Sequence, residues 1–239
     1  MITNEYGLGC IEYHDPRDDN YPMAAILPEK PFITNKMWWD NGWWGDQKNT
    51  SMCTVYSWSH WLEDGPLLQT IDGREKPMFD LKTLYNKAQL NDGIPGTNYQ
   101  GSTVRAVAKV FKELGVIKEY RWANSIDDII TCLLTIGPVV VGTKWYSAMF
   151  TPDKHTAIVK PEGGMAGGHA YVLNGVDTER KLFRIKNSWG KTYGQNGHAY
   201  ISFDDFNKLF KDKGQACIAI ANKLDHIPDM TTVQDNDVI

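Results

Sequence analysis

The chain has 239 residues, with 25 Lys and Arg against 29 Asp and Glu, and its hydrophobic, aromatic and charged fractions of 42%, 12% and 23% are globular values. A disordered or collagen-like chain is excluded, and a chain of this length buries enough surface to fold without disulfides or metals. The formal charge of -4 resides in the last fifteen residues, where Asp225, Asp229, Asp235 and Asp237 have no Lys or Arg beside them. The body ahead of them is neutral, which argues against nucleic acid or an anionic membrane as partner.

From the N-terminus, Met1 to Pro22 carries acids where a signal peptide has basic residues, and it lacks an apolar core. Pro16, Pro22, Pro28 and Pro31 crowd the first 45 residues, so the reading there is an irregular arm lying on a body. A helix is predicted from the N-cap candidates Thr50 and Ser51 to Gly65-Pro66, with Cys53 in its first turn. The Gly-, Pro- and Asn-rich run Asn91 to Gly101 reads as a loop. Ser102 is expected to cap a second helix ended by Gly115, and Ser125 a third ended by Gly137-Pro138. The longest uncharged apolar stretch, Ile129 to Thr143, is broken by that Gly-Pro pair and is too short to span a bilayer.

The second half changes character. PVVVGT, HAYVLNGV, KLFRIKN, HAYISF and QACIAIA are short β-branched or alternating runs, the pattern of an antiparallel sheet or barrel. A helical half thus precedes a strand-rich half, with no linker long enough to separate them. The expected organisation is an N-terminal arm over 1–20, one body over 21–224, and an acidic tail over 225–239. Cys10, Cys53, Cys132 and Cys217 lie 43, 79 and 85 residues apart without CxxC or Cys-His spacing, so neither zinc nor another cofactor is expected. A reducing compartment, the cytoplasm, is the simplest expectation.

Four segments supply what nucleophilic catalysis requires: an activated nucleophile, a base, a group orienting the base, and donors for an oxyanion. Cys53 stands at a helix N-terminus, where the macrodipole favours thiolate. His169 follows Gly167-Gly168 at a strand start, Asn187 ends a strand before a glycine-rich turn, and Gln47 offers an amide six residues before Cys53. His60, two turns along the same helix, reads as structural, and Cys10, Cys132 and Cys217 as packing. Trp38, Trp39, Trp43 and Trp44 read as core between lobes and groove floor.

In GDQKNTSMCTVYSW, GGHAYVLNGVD and FRIKNSWGKTYGQNGHAYI, in this order, the chain resembles the papain-like cysteine peptidases, and especially their bacterial and viral members without disulfides. The run DQKNTSMC also resembles the bleomycin-hydrolase branch. The resemblance implies an α+β, two-lobed fold: a helical N-terminal lobe, an antiparallel β-barrel-like C-terminal lobe, and an active site between them. It implies thiol-dependent hydrolysis of peptide or protein substrates, with Cys53 as nucleophile, His169 as acid-base partner, Asn187 orienting His169, Trp189 shielding that bond, and Gln47 in the oxyanion hole. Ser51, Met52 and Gly168 would line the substrate groove. Thr50 stands where the family commonly has a disulfide cysteine, Thr54 where it has an aromatic, and Tyr193 where it has a second tryptophan.

Only 52 residues precede Cys53, too few for the family's usual inhibitory prosegment beside part of the body. The enzyme is therefore expected either to be made active or to be held in check by its own arm or a partner. Two alternatives stand beside the peptidase: a papain-fold structural or binding component of a larger assembly such as a virus particle, whose neighbours hold both arms, and a cell-wall amidase on a related fold.

Overall fold

The computed structural model describes residues 6–29, 34–40, 43–66 and 77–232. The outer ends of the predicted arm and tail, 1–5 and 233–239, lie outside the described residues.

The first helix, α1 (Cys53–Asp64), is buried on almost every side, and its polar residues are buried with the rest. Its N-cap is Met52, with no side-chain capping bond, which corrects the expectation for Thr50 and Ser51. Their hydroxyls are engaged elsewhere: Thr50 Oγ1 donates to Gln47 O at 2.7 Å and Ser51 Oγ to Gln100 Oε1 at 3.2 Å. Two tryptophans fix the helix through their indoles, Trp58 to Val104 O at 2.8 Å and Trp61 to Pro138 O at 2.9 Å. The helix α2 (Leu81–Leu90), capped by Asp80, was not expected from the sequence. In α3 (Val104–Glu113) the cap is Thr103, whose hydroxyl accepts from Ala106 N, while the expected cap Ser102 donates toward Asp92. The helix α4 (Ile126–Thr135) has the expected Ser125 cap, reinforced by Asp128 in a reciprocal capping box.

The sheet carries the rest. Its path is β2 (Ile117–Trp122), β7 (Gln215–Ala221), β3 (Val139–Tyr146), β4 (Met165–Asp177), β5 (Leu182–Lys186) and β6 (His198–Ser202), all antiparallel, with β1 (Lys36–Trp38) paired to the far end of β4. It is open, not closed into the barrel that the strand pattern allowed. The α5 helix (Phe203–Lys211) follows β6 and buries Phe206 and Leu209. The five expected strand runs are present, β1 and β2 in addition, and β1 interrupts the stretch read as irregular.

Helices and sheet meet along α1 and β4. The predicted tryptophan cluster does pack here. Trp43 packs at a tilt on His60 and Tyr56 of the α1 side, while Trp44 meets His198 edge-on and Trp38 meets Tyr200 edge-on on the sheet side. Beneath them Lys186 and Asp64, both with fully buried side chains, pair at 2.6 Å, and the ammonium lies 4.6 Å from the Trp44 ring. His60 is structural as expected: it accepts from Gly45 N at 3.0 Å, and burial holds its imidazole well below the usual pKa.

Without Asp64, Lys186 would keep only Asp40, at 3.9 Å, and removing one member of a closely paired buried ion pair costs about 3 kcal/mol or more. Asp64→Ala should therefore destabilise the fold by about that amount in urea unfolding. The double replacement Asp64→Leu with Lys186→Met should recover most of the loss; equal stability of Asp64→Ala and wild type would refute the assignment.

Candidate active site

The site is assembled where two loop segments are stitched together. Gln47 N donates to Ser188 O at 2.7 Å and Gly190 N to Gly45 O at 3.2 Å, so residues 45–47 pair with 188–190. The Gln47 side chain is fixed at both ends: Ser188 Oγ donates to its Oε1, and its Nε2 donates to Thr50 O at 2.7 Å. This brings the amide and the N-terminus of α1, with Cys53, to the edge of β4 where His169 sits.

His169 lies opposite Thr143 across the β3–β4 ladder, and its Nε2 is 2.8 Å from Asn187 Oδ1 at the end of β5. The same oxygen accepts Ser188 N at 2.8 Å, which identifies it as the carbonyl side of the amide. An acceptor at Nε2 places the imidazole proton there and leaves the Nδ1 lone pair free. Nδ1 is buried and has no hydrogen-bond partner. Trp189 stacks on the ring at 4.5 Å and 19°, and Trp145 closes its edge at 4.8 Å, so water is kept from the His169–Asn187 bond.

Cys53, His169 and Asn187 are all fully buried. Burial pushes the Cys53 thiol up to about 12, although the backbone N–H groups of Ala170, Thr54 and Gly9 favour the thiolate. Burial likewise lowers His169 to about 4, against the bond to Asn187, which raises it. Burial thus disfavours both the thiolate and the imidazolium.

The burial has an identifiable source, the N-terminal arm. Tyr6 stacks on Trp189 at 4.6 Å. Gly7 N donates to Lys48 O at 2.8 Å, while Gly7 O accepts from Gln47 Nε2 at 3.1 Å and from the Trp189 indole at 3.3 Å. Gly9 N and Cys10 N both donate to Gly168 O, at 3.1 and 3.0 Å. On the other wall Ser102 N donates to Gly9 O and Ile11 N to Ser102 O, each at 2.9 Å, in a parallel bridge. Farther along, Asp15 and Asp18 anchor the arm through the half-buried Arg105 of α3.

Glycine is required along this path. A Cβ at Gly7 would lie 1.9 Å from Thr50 O, and one at Gly9 would lie 2.3 Å from Ser51 O. Of the residues expected from the sequence, Cys53, His169, Asn187, Gln47, Trp189, Ser51 and Gly168 all gather here, with Met52 half-buried beside them. Ser102, Trp145 and Ser188 were not foreseen as residues of the site, and the expectation that the arm could hold the enzyme in check named no path for it. The alternating glycines of YGLGC were the available signal, since such spacing suits a strand pressed backbone-first against a wall. Among the described residues no three His, Cys, Asp or Glu converge on a metal position.

Comparisons with known proteins bear on the family and the fold. A family model described as papain family cysteine protease matches residues 83–217, more than half of the chain, including His169 and Asn187. No curated protein sequence matches significantly. Among solved structures, xylellain, a cysteine protease from Xylella fastidiosa, superposes with a TM-score of 0.67 at 19% identity, over 92% of this chain and 97% of that one. A digestive procathepsin L from Tenebrio molitor gives 0.61 at 13% identity, over 90% and 76%. Bromelain from Ananas comosus in complex with E64 gives 0.57 at 12%, over 80% and 100%. At these identities the likeness concerns the fold, which is papain-like.

A thiol is alkylated as its thiolate. With Cys53 fully buried and its pKa raised to about 12, iodoacetamide at pH 8 should label Cys53 of the folded wild-type protein, as read by peptide mapping, far more slowly than it labels Cys53 of the urea-unfolded chain. Equal rates would show that the thiol is neither covered nor held protonated.

Proposed function

Since the chain belongs to the papain family of cysteine proteases, we propose that it hydrolyses peptide bonds with Cys53, His169 and Asn187 as a catalytic triad, and that its arm holds this activity latent. The observation that carries the reading is the 2.8 Å contact of His169 Nε2 with Asn187 Oδ1, which leaves the buried Nδ1 without a hydrogen-bond partner.

In the proposed reaction Nδ1 takes the Cys53 proton, and the sulfur attacks the carbonyl carbon of the substrate. The developing oxyanion is met by Gln47 Nε2 and the Cys53 backbone N–H, and the imidazolium returns its proton to the departing amine. Water then attacks the thioester, giving its proton to Nδ1, and the acid product leaves with Cys53 restored as thiol. The Gly7 carbonyl already accepts from Gln47 Nε2, which supports the amide as a donor for a carbonyl in the groove. The arm passes from Tyr6 at Trp189 to Ile11 at Ser102 in one extended path, which supports a groove for chains running past Cys53 on both sides and thus endopeptidase action.

The occupied groove also favours a second reading, a binding component whose groove is filled in its working state. The two readings diverge once the arm is expelled. Gly9→Val, whose side chain cannot fit beside Ser51 O, should raise kcat/KM on a generic fluorogenic peptide well above wild type, and Cys53→Ala in the same background should remove the gain. Silence of Gly9→Val and Gly7→Val alike would reject the peptidase. Within the active variant, Gln47→Ala should lower kcat by about 10²- to 10³-fold, as loss of an oxyanion donor does; an unchanged kcat would remove Gln47 from the oxyanion site.

A further inference from the structure

The arm also forms one wall of a side cavity, to which it contributes Cys10 and Glu12. Beside Gly168, whose carbonyl receives Gly9 and Cys10, a cavity of about 170 Å³ opens between β3, β4 and the start of β7. Its walls include Gly142, Met165, Gly168, Lys144, Lys213 and Gln215. Gly142 forms the apolar side, because a Cβ there would stand 2.7 Å from Cys10 Sγ. In the β3–β4 register Gly142 faces Ala170 and Lys144 faces Gly168, so the cavity lies directly alongside His169.

The polar groups of this cavity are satisfied by the arm. Lys213 Nζ pairs with Glu12 at 3.0 Å, and Gln215 Nε2 donates to Tyr13 O. The second lysine is compensated from the body, Lys144 to Asp212 at 2.6 Å. When the arm leaves, Glu12 and Tyr13 O go with it, whereas Asp212 stays. The widened cavity then holds one ammonium without its carboxylate, one free amide donor, and the face of Gly142 that Cys10 now covers.

We propose that this cavity takes an acidic side chain of the substrate, with Lys213 and Gln215 as the residues that select it. The aliphatic part of a glutamate would lie along Gly142 and Met165, and its carboxylate would replace that of Glu12 at Lys213 and accept from Gln215. The inference rests on the reading of the groove as a substrate site, but it can be separated from catalysis because it concerns binding.

The test uses the full-length chain carrying Gly9→Val, to empty the groove, and Cys53→Ala, to prevent turnover. Fluorescein-labelled peptides on an alanine background, with Glu, Leu or Lys placed at each position in turn, are compared by anisotropy. One position should show Glu binding about 5-fold more tightly than Leu, the scale of a partly exposed ion pair, with Lys weaker still; Lys213→Glu should reverse the order of Glu and Lys at that position alone. Absence of binding by every peptide, equal affinity for Glu and Lys at all positions, or a preference unmoved by Lys213→Glu would overturn the proposal. Failure of the Cys53-containing Gly9→Val protein to cleave peptides that bind with this preference would reject the peptidase reading and leave the pocket standing.

Discussion

The hydrogen bond between His169 Nε2 and Asn187 Oδ1 joins the edge of one strand to the end of its neighbour, and the chemistry of the site depends on it. Because the oxygen also holds Ser188 N, the amide cannot turn, and because it can only accept, the ring proton is assigned to Nε2. The two tryptophans around the ring keep this choice dry, and the pairing of residues 45–47 with 188–190 carries Gln47 to the same place. A single orientation of one amide therefore determines which imidazole nitrogen keeps its lone pair.

The arm acts on the other half of the pair. By covering Cys53 and His169 it desolvates both, which penalises the thiolate and the imidazolium together. The ion pair that would make the sulfur nucleophilic is thus unfavourable while the arm lies in the groove. The arm holds itself there with backbone hydrogen bonds made at glycines, and with acidic residues downstream that meet Arg105 and Lys213. Its contacts use the polar groups that an extended peptide would use, so displacement and substrate binding are competing events.

Much of this was legible before the fold was known. The four chemistry-bearing segments stand out because their residue types are uncommon in combination, and Ser125 reads directly as a helix start. Thr50, Ser51 and Ser102 misled for a common reason: each hydroxyl or its neighbour had a better partner outside the helix, Gln47 O, Gln100 or Asp92. In β2 the charged residues Lys118, Glu119 and Arg121 mask the strand, since one face of that edge is solvated, and α2 has only a weakly polarised apolar face. The path of the arm could not be deduced from spacing, because contacts between Gly7 and Trp189 depend on tertiary placement 182 residues apart.

The central claim, a neutral His169 with its proton committed to Asn187, is open to direct measurement. Long-range ¹H–¹⁵N NMR of the imidazole nitrogens in the wild-type protein at pH 7 should show His169 protonated at Nε2 and unprotonated at Nδ1, with this pattern kept down to about pH 5, above the lowered pKa of about 4. An imidazolium at pH 7, or a proton on Nδ1, would contradict the account.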